Sequence, residues 1–241
     1  MTANTTLKIM RNSKNIRLIE FLIVIAVAFG SAIFGSVCVQ LTGAELYYNE
    51  YAKYPMIYWG TTIVRQLAII ALVIYLIIRQ GRNIKELGFS WLWKDLIISI
   101  VLAFMAYIAG IVWWLILSQG YYMIIGTKLN IHPNNIEFLK KGINFWSVTA
   151  MLINPFYEEL IIRCYTIFEV KFLTNSVGLA VFISVIIQST YHLYQGFVPA
   201  LLLSAMFAVF SLYYIKWQRI MPVILAHMYF DLIALFSAAS R

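Results

Sequence analysis

Residues 145–172 read FWSVTAMLINPFYEELIIRCYTIFEVKF, a mostly apolar run whose middle carries Asn154, Glu158, Glu159 and Arg163. The run is long and apolar enough for a membrane-spanning helix. A charged side chain at the centre of a bilayer costs at least about 2.5–3.5 kcal/mol on insertion scales, so charges in such a place are rare without a task. Two further apolar runs carry His192 and the pair His227 and Asp231. Carboxylates and imidazoles from three membrane helices have the makings of one buried polar pocket able to activate water.

The rest of the chain agrees with a membrane reading. Hydrophobic residues make up 62% and charged residues 12%, with a mean hydropathy of +0.82, whereas a soluble domain is about 25% charged. Seven apolar runs, near residues 18–41, 56–78, 96–117, 145–172, 177–194, 198–217 and 221–239, are long enough for a hydrocarbon core of about 30 Å. The expected fold is all-α, a polytopic membrane helix bundle of about seven transmembrane helices. Residues 1–241 form a single integral membrane domain, because the connections are short and no internal repeat is visible. The fourth run exceeds the usual length, so either its C-terminal end emerges at the interface or Pro155 bends it.

The formal net charge of +8 could suggest nucleic acid, but its distribution points to topology. Lys8, Arg11, Lys14, Arg17, Arg79, Arg82, Lys85, Lys94, Lys171, Lys216 and Arg219 fall on one side, eleven in all. Lys53, Lys128, Lys140, Lys141 and Arg241 fall on the other, five in all. The positive-inside rule then places the N-terminus in the cytoplasm of a multi-pass cell-membrane protein. The lipid bilayer is the expected partner, with no nucleic acid. The first apolar run is about twice the 7–15 residues of a signal-peptide core, so a retained anchor is expected. Cys38 and Cys164 lie inside expected spans and fit neither a disulfide framework nor a thiolate metal cluster; they are expected to pack as small apolar residues.

On a helix turning 100° per residue, Glu159 and Arg163 are an i, i+4 pair on one face. Glu158 lies roughly 140° around from Arg163. Arg163 then neutralises Glu159 as a structural ion pair, while Glu158 faces a cavity without a local counter-charge, a placement that suits a general base or acid. The competing reading has both glutamates bound by Arg163 and Arg65, locking helices together. In the fifth run, QSTYHLYQ at residues 188–195, Gln188, His192 and Gln195 share a helical face at i, i+4 and i+7, and Gln188 is a candidate to orient the imidazole. His227 and Asp231 share a face one turn apart. They can co-ligate a metal, or the acid can fix the tautomer of the histidine. His132 sits in a polar loop beside Pro133 and is expected to be solvated.

Other membrane chemistries lack their residues. There is no H-E-x-x-H. The only other aspartate, Asp95, lies at a membrane edge beside Lys94, which leaves no intramembrane aspartyl dyad. No G-x-S-x-G is present. A transporter or proton relay is disfavoured because no inverted repeat or pair of broken helices is evident. Water activation by Glu and His remains.

The chain resembles the CAAX protease and bacteriocin-processing family (CPBP, also Abi). EELIIR at residues 158–163 is similar to its E-E-x-x-x-R motif, QSTYHLYQG at 188–196 to its second motif, and MPVILAHMYFD at 221–231 to its third, H-x-x-x-N/D. The likeness covers about residues 145–235, the expected catalytic core, and ELGF at 86–89 is similar to a feature of members. One departure is Gln188, where the second motif usually has an aromatic residue. The resemblance implies an intramembrane endopeptidase that hydrolyses a peptide bond near the membrane surface, in a peptide or membrane-associated protein substrate. It implies Glu158, Glu159, His192, His227 and Asp231 as catalytic residues, with Glu158 and His192 activating water. It also implies that His227 and Asp231 stabilise the oxyanion or complete a metal site, for which His192, His227 and Asp231 are candidate Zn²⁺ ligands. Both mechanisms stay open, as does a non-proteolytic bacteriocin-immunity or scaffold role. If α-helices simply alternate across the bilayer, His192 and His227 fall at different depths, and the site is contiguous only if Glu158 lies at intermediate depth and helices tilt or break.

Overall fold

The computed structural model describes residues 13–42, 54–129 and 144–239. His132, and the basic residues Lys8, Arg11, Lys53, Lys140, Lys141 and Arg241, lie outside the described residues. The helices are α1 (Lys14–Thr42), α2 (Pro55–Arg79), α3 (Lys94–Ile125), α4 (Phe145–Glu159), α5 (Ile167–Thr174), α6 (Val177–Tyr191), α7 (Phe197–Trp217) and α8 (Met221–Ala239). A π-helical stretch, Leu160–Thr166, joins α4 to α5 without a break. Counting residues 145–174 as one rod, the described residues form seven rods and no strand. This is the all-α membrane bundle expected.

Four helices, α1, α2, α3 and α7, are long and apolar enough to cross a membrane by length and composition. The outer faces of α1, α2 and α3 expose Phe34, Leu41, Val64, Ile97, Phe104 and Met105, an apolar surface too large for water and suited to lipid. The fifth expected run ends early. α6 has 15 residues, about 22 Å at 1.5 Å per residue, and stops short of an apolar core about 30 Å thick. A 3-10 turn, Leu193–Gln195, and Gly196 at φ 112° then lead into α7.

The 145–174 rod sits at the centre. Its start is fixed by a capping box in which Asn144 accepts from Ser147 N at 2.9 Å and Asn144 N donates to Ser147 Oγ at 3.0 Å. Pro155 lies inside α4 and has no N–H to continue the ladder. Every residue of the π stretch is buried. Around the rod, α2 packs on α4, α6 on α5, and α3 on both α7 and α8. The ELGF segment has a structural task here. Gly88, at φ +80°, sits so close to the α7–α8 turn that a Cβ would come 2.2 Å from Gln218 O, and Ile220 N donates to Gly88 O at 3.3 Å. Arg219 meets the fully buried Asp95 at 2.7 Å, closing the same corner.

Candidate active site

Glu158 and Glu159 end α4 and enter the π stretch. Both are buried, yet their partners differ in kind. Glu159 is held by cation-capable groups: Arg163 Nε lies 3.1 Å from Oε2, and His227 Nδ1 lies 2.7 Å from Oε1. The Arg163 N–H is not aimed at that oxygen, so this contact is an ion pair rather than an aligned hydrogen bond. Arg163 also donates to Gln188 Oε1 and, at 3.5 Å, to Phe207 O, beneath the rings of Phe207 and Phe210. Glu158 instead accepts only from neutral donors. Asn154 Nδ2 reaches Oε1 at 3.0 Å, while Gln188 Nε2 at 3.1 Å and the Tyr191 hydroxyl at 2.5 Å reach Oε2. A carboxylate offers about four lone-pair directions. Oε1, with a single donor, retains room for a water.

The third motif closes the network. His227 Nδ1 faces Glu159, which can only accept while paired to Arg163, so Nδ1 carries the hydrogen and donates it. Nε2 lies 3.5 Å from Asp231 Oδ1, a loose contact. Asp231 is anchored by Asn154, whose Nδ2 also donates to its Oδ2 at 3.2 Å, and Asn154 is in turn held by Gln66 at 2.8 Å. One amide thus bridges the carboxylates of Glu158 and Asp231.

The expected site residues Glu159, Arg163, His227 and Asp231 therefore come together through direct contacts, and Glu158 joins them through the amides of Asn154 and Gln188. His192 joins them differently. It is the C-cap of α6, half-buried, with its ring edge-on to Tyr191, Tyr194 and Phe207 at centroid distances of 4.8, 6.0 and 5.1 Å. It lies within electrostatic reach of His227, Asp231 and Arg163, and its Nδ1 is buried without a hydrogen-bond partner. α6 ends at Tyr191, so His192 lies at a helix end rather than within a span, and it is within electrostatic reach of His227.

Three expectations are corrected. The common face of Gln188, His192 and Gln195 does not exist, since the helix ends at Tyr191 and Gln195 turns to the hydroxyl of Tyr194. Gln188 does not orient His192; fully buried, it links Glu158 to Arg163. Arg65 takes no part in the glutamate pair and donates to Ser31 at 3.2 Å. Tyr191 and Gln66 were not foreseen as site residues, and Asn154 was noted without a role. The i, i+4 spacing of Asn154 and Glu158 was a usable signal, whereas Gln66 comes from another helix and had none.

The site also bears on a metal. The group named by the resemblance would need His192, His227 and Asp231 to offer free donors to one point. His227 Nδ1 is engaged by Glu159, Nε2 is only loosely held by Asp231, and Asp231 is tied to Asn154. Among the described residues, no group of three or more His, Cys, Asp or Glu is placed to hold a metal ion. As placed, His192, His227 and Asp231 do not bring three donors to one point. Residues 141–233 match the family model described as Rce1-like, type II CAAX prenyl endopeptidase, which shows over those residues the family resemblance carried by the three motifs. No curated protein and no solved structure matches the chain.

Proposed function

We propose that this chain is an intramembrane endopeptidase of the CAAX type, with Glu158 as the general base that takes a proton from the attacking water. The observation that carries this reading is the division of labour in the glutamate pair. Glu159 is committed to Arg163 and His227, whereas Glu158 is held only by amide and phenol hydrogens and keeps an oxygen open. Such held but uncommitted carboxylates suit general-base work, which contributes roughly 10²–10⁴-fold to a rate.

In this reading the water sits at Oε1 of Glu158 with His192 on its far side. The scissile carbonyl of a peptide, presented near the membrane surface, is attacked by that water, and the proton held by Glu158 passes to the leaving amine. His227 Nε2, only loosely held by Asp231, meets the developing oxyanion, a role that requires His227 to be an imidazolium with a hydrogen on each ring nitrogen. The reading taken is a metal-free mechanism, supported by His227 Nδ1 being engaged by Glu159 and Asp231 being tied to Asn154 rather than offered to a metal with His192. The test uses purified protein in liposomes with a farnesylated fluorogenic peptide that ends in a CAAX sequence. Glu158→Gln is expected to lower turnover by at least about 100-fold while the protein stays folded; turnover at the wild-type rate overturns the assignment. Exhaustive chelation is expected to leave activity intact, and Asp231→Asn to retain it. Stoichiometric zinc that is lost together with activity in Asp231→Asn overturns the metal-free reading.

A further inference from the structure

A second charged centre lies at the end of the bundle where α1 begins and α2 and α5 end. Gly81, at φ 79°, closes α2 with its N–H on Ile78 O, and Arg82 N returns to Ile77 O at 3.1 Å. This cap turns Arg82 back into the bundle, with its guanidinium 3.1 Å from the ring centre of Phe168. The nearest acid, Glu169, is fully buried, and both of its oxygens are taken by Arg17, at 2.6 and 2.7 Å. A second acid close by, Glu20, is taken by Arg79 and Gln80. Three guanidinium groups, of Arg17, Arg79 and Arg82, thus meet two carboxylates, of Glu20 and Glu169, and among the described residues Arg82 is the one of the three with no carboxylate bonded to it. Its Nη1 is buried with no hydrogen-bond partner, as are Tyr165 Oη and Gln80 Oε1.

A guanidinium does not give up its proton in a protein. Burial, opposed by Glu169, pushes Arg82 below the usual arginine range; because the group stays charged, this is a cost that an anion would offset. The group that suits a planar fork of N–H donors is a carboxylate or a phosphate, with two oxygens offered side by side. The chain's own carboxylates here are used. Exposed Lys14 lies at the same end, bonded to Leu173 O, and the exposed Trp91 and Trp93 follow in the α2–α3 loop, residues of the kind that settle at the headgroup level of a bilayer.

We infer that Arg82, seated on Phe168 beside the Arg17–Glu169 pair, binds the phosphate group of an anionic lipid headgroup. The site is separate from the candidate active site, since Glu169 follows Glu159 by ten residues, more than two helical turns along the rod. It does not depend on the protease reading.

The test is native mass spectrometry of the full chain, with thermal melting in parallel, after adding phosphatidylglycerol, phosphatidylcholine or inorganic phosphate. Wild-type protein is expected to retain phosphatidylglycerol and gain thermal stability from it, with little response to phosphatidylcholine. Arg82→Gln is expected to bind phosphatidylglycerol on the order of 10-fold or more weakly. Lys128→Gln, at an exposed basic residue beyond the far end of α3, is expected to bind as the wild type does. Displacement of the lipid by millimolar phosphate supports the phosphate group as what is recognised and makes free phosphate a second source. Equal response to both lipids, or an unchanged response in Arg82→Gln, overturns the inference. Should Arg82→Gln fail to fold, Arg82→Lys, which keeps the charge and loses the fork, is expected to lose most of the lipid preference, and full retention in that variant overturns the inference too.

Discussion

Adjacent glutamates act differently because one residue along a helix is a change of face. Glu159 faces Arg163 and His227; Glu158 faces Asn154, Gln188 and Tyr191. Glu159→Gln removes the counter-charge of a fully buried guanidinium and leaves His227 a neutral amide oxygen in place of a carboxylate. It is expected to destabilise the protein by about 3–5 kcal/mol, the range for breaking a buried pair from one side. Thermal unfolding in detergent checks this, and a melting temperature equal to that of the wild type would show that Arg163 has another partner. Gln188 is the clearest departure from the family pattern and has a clear role. Its amide donates to Glu158 and accepts from Arg163. Gln188→Leu leaves both groups short of a partner, for a loss of about 1–3 kcal/mol. The same variant is expected to lower kcat more than KM, because it frees the carboxylate rather than the substrate; a pure KM effect contradicts that role.

Among the elements, the π-helical stretch matters most. A π turn places each residue later around the axis than an α turn does, and such segments often mark functional positions. Here it begins directly after the glutamate pair and carries Arg163, so the angles drawn on a regular wheel hold only up to Glu159. The Glu159–Arg163 contact survives this because both side chains are long. The second element of note is the turn at Ile84–Leu87, which presses on the α7–α8 corner. Gly88→Ala would put a Cβ 2.2 Å from Gln218 O at a positive φ. The backbone conformation alone costs about 1–2 kcal/mol for a residue with a Cβ, and the clash with backbone adds to it. A melting temperature lowered by several degrees is expected, and His227 mobility should rise because α8 starts from that corner. An unchanged melting temperature would mean that the corner opens without loss.

For the whole molecule, charge and apolarity act on different axes. The apolar outer faces of α1, α2 and α3 match lipid, while basic residues gather at one end of the bundle. Arg17, Arg79, Arg82 and Arg219 all lie at that end, where α1 begins, α2 ends and α7 turns into α8. With that end in the cytoplasm, as the positive-inside rule expects, a cysteine placed at the exposed Asn83 should be labelled by an impermeant maleimide only from the cytoplasmic side. Labelling of intact cells at that position would reverse the orientation.

The helical class, the number of rods and the residues that gather at the centre were legible in the chain. Apolar runs must hide their backbone hydrogen bonds in helices inside lipid, and charges placed within them stand out against that background. The i, i+4 spacing also named the Glu159–Arg163 pair, since that contact is local to one helix. Contacts between helices left no such trace. That His227 turns to Glu159 more closely than to its own neighbour Asp231, that Gln188 serves Glu158 rather than His192, and that Gln66 supports Asn154 all depend on how the rods are set against each other. The early end of α6 and the π stretch belong to the same class. Both are shifts of a residue or so in helical register, set by packing against neighbouring rods and invisible to hydropathy, which records only that a segment is apolar.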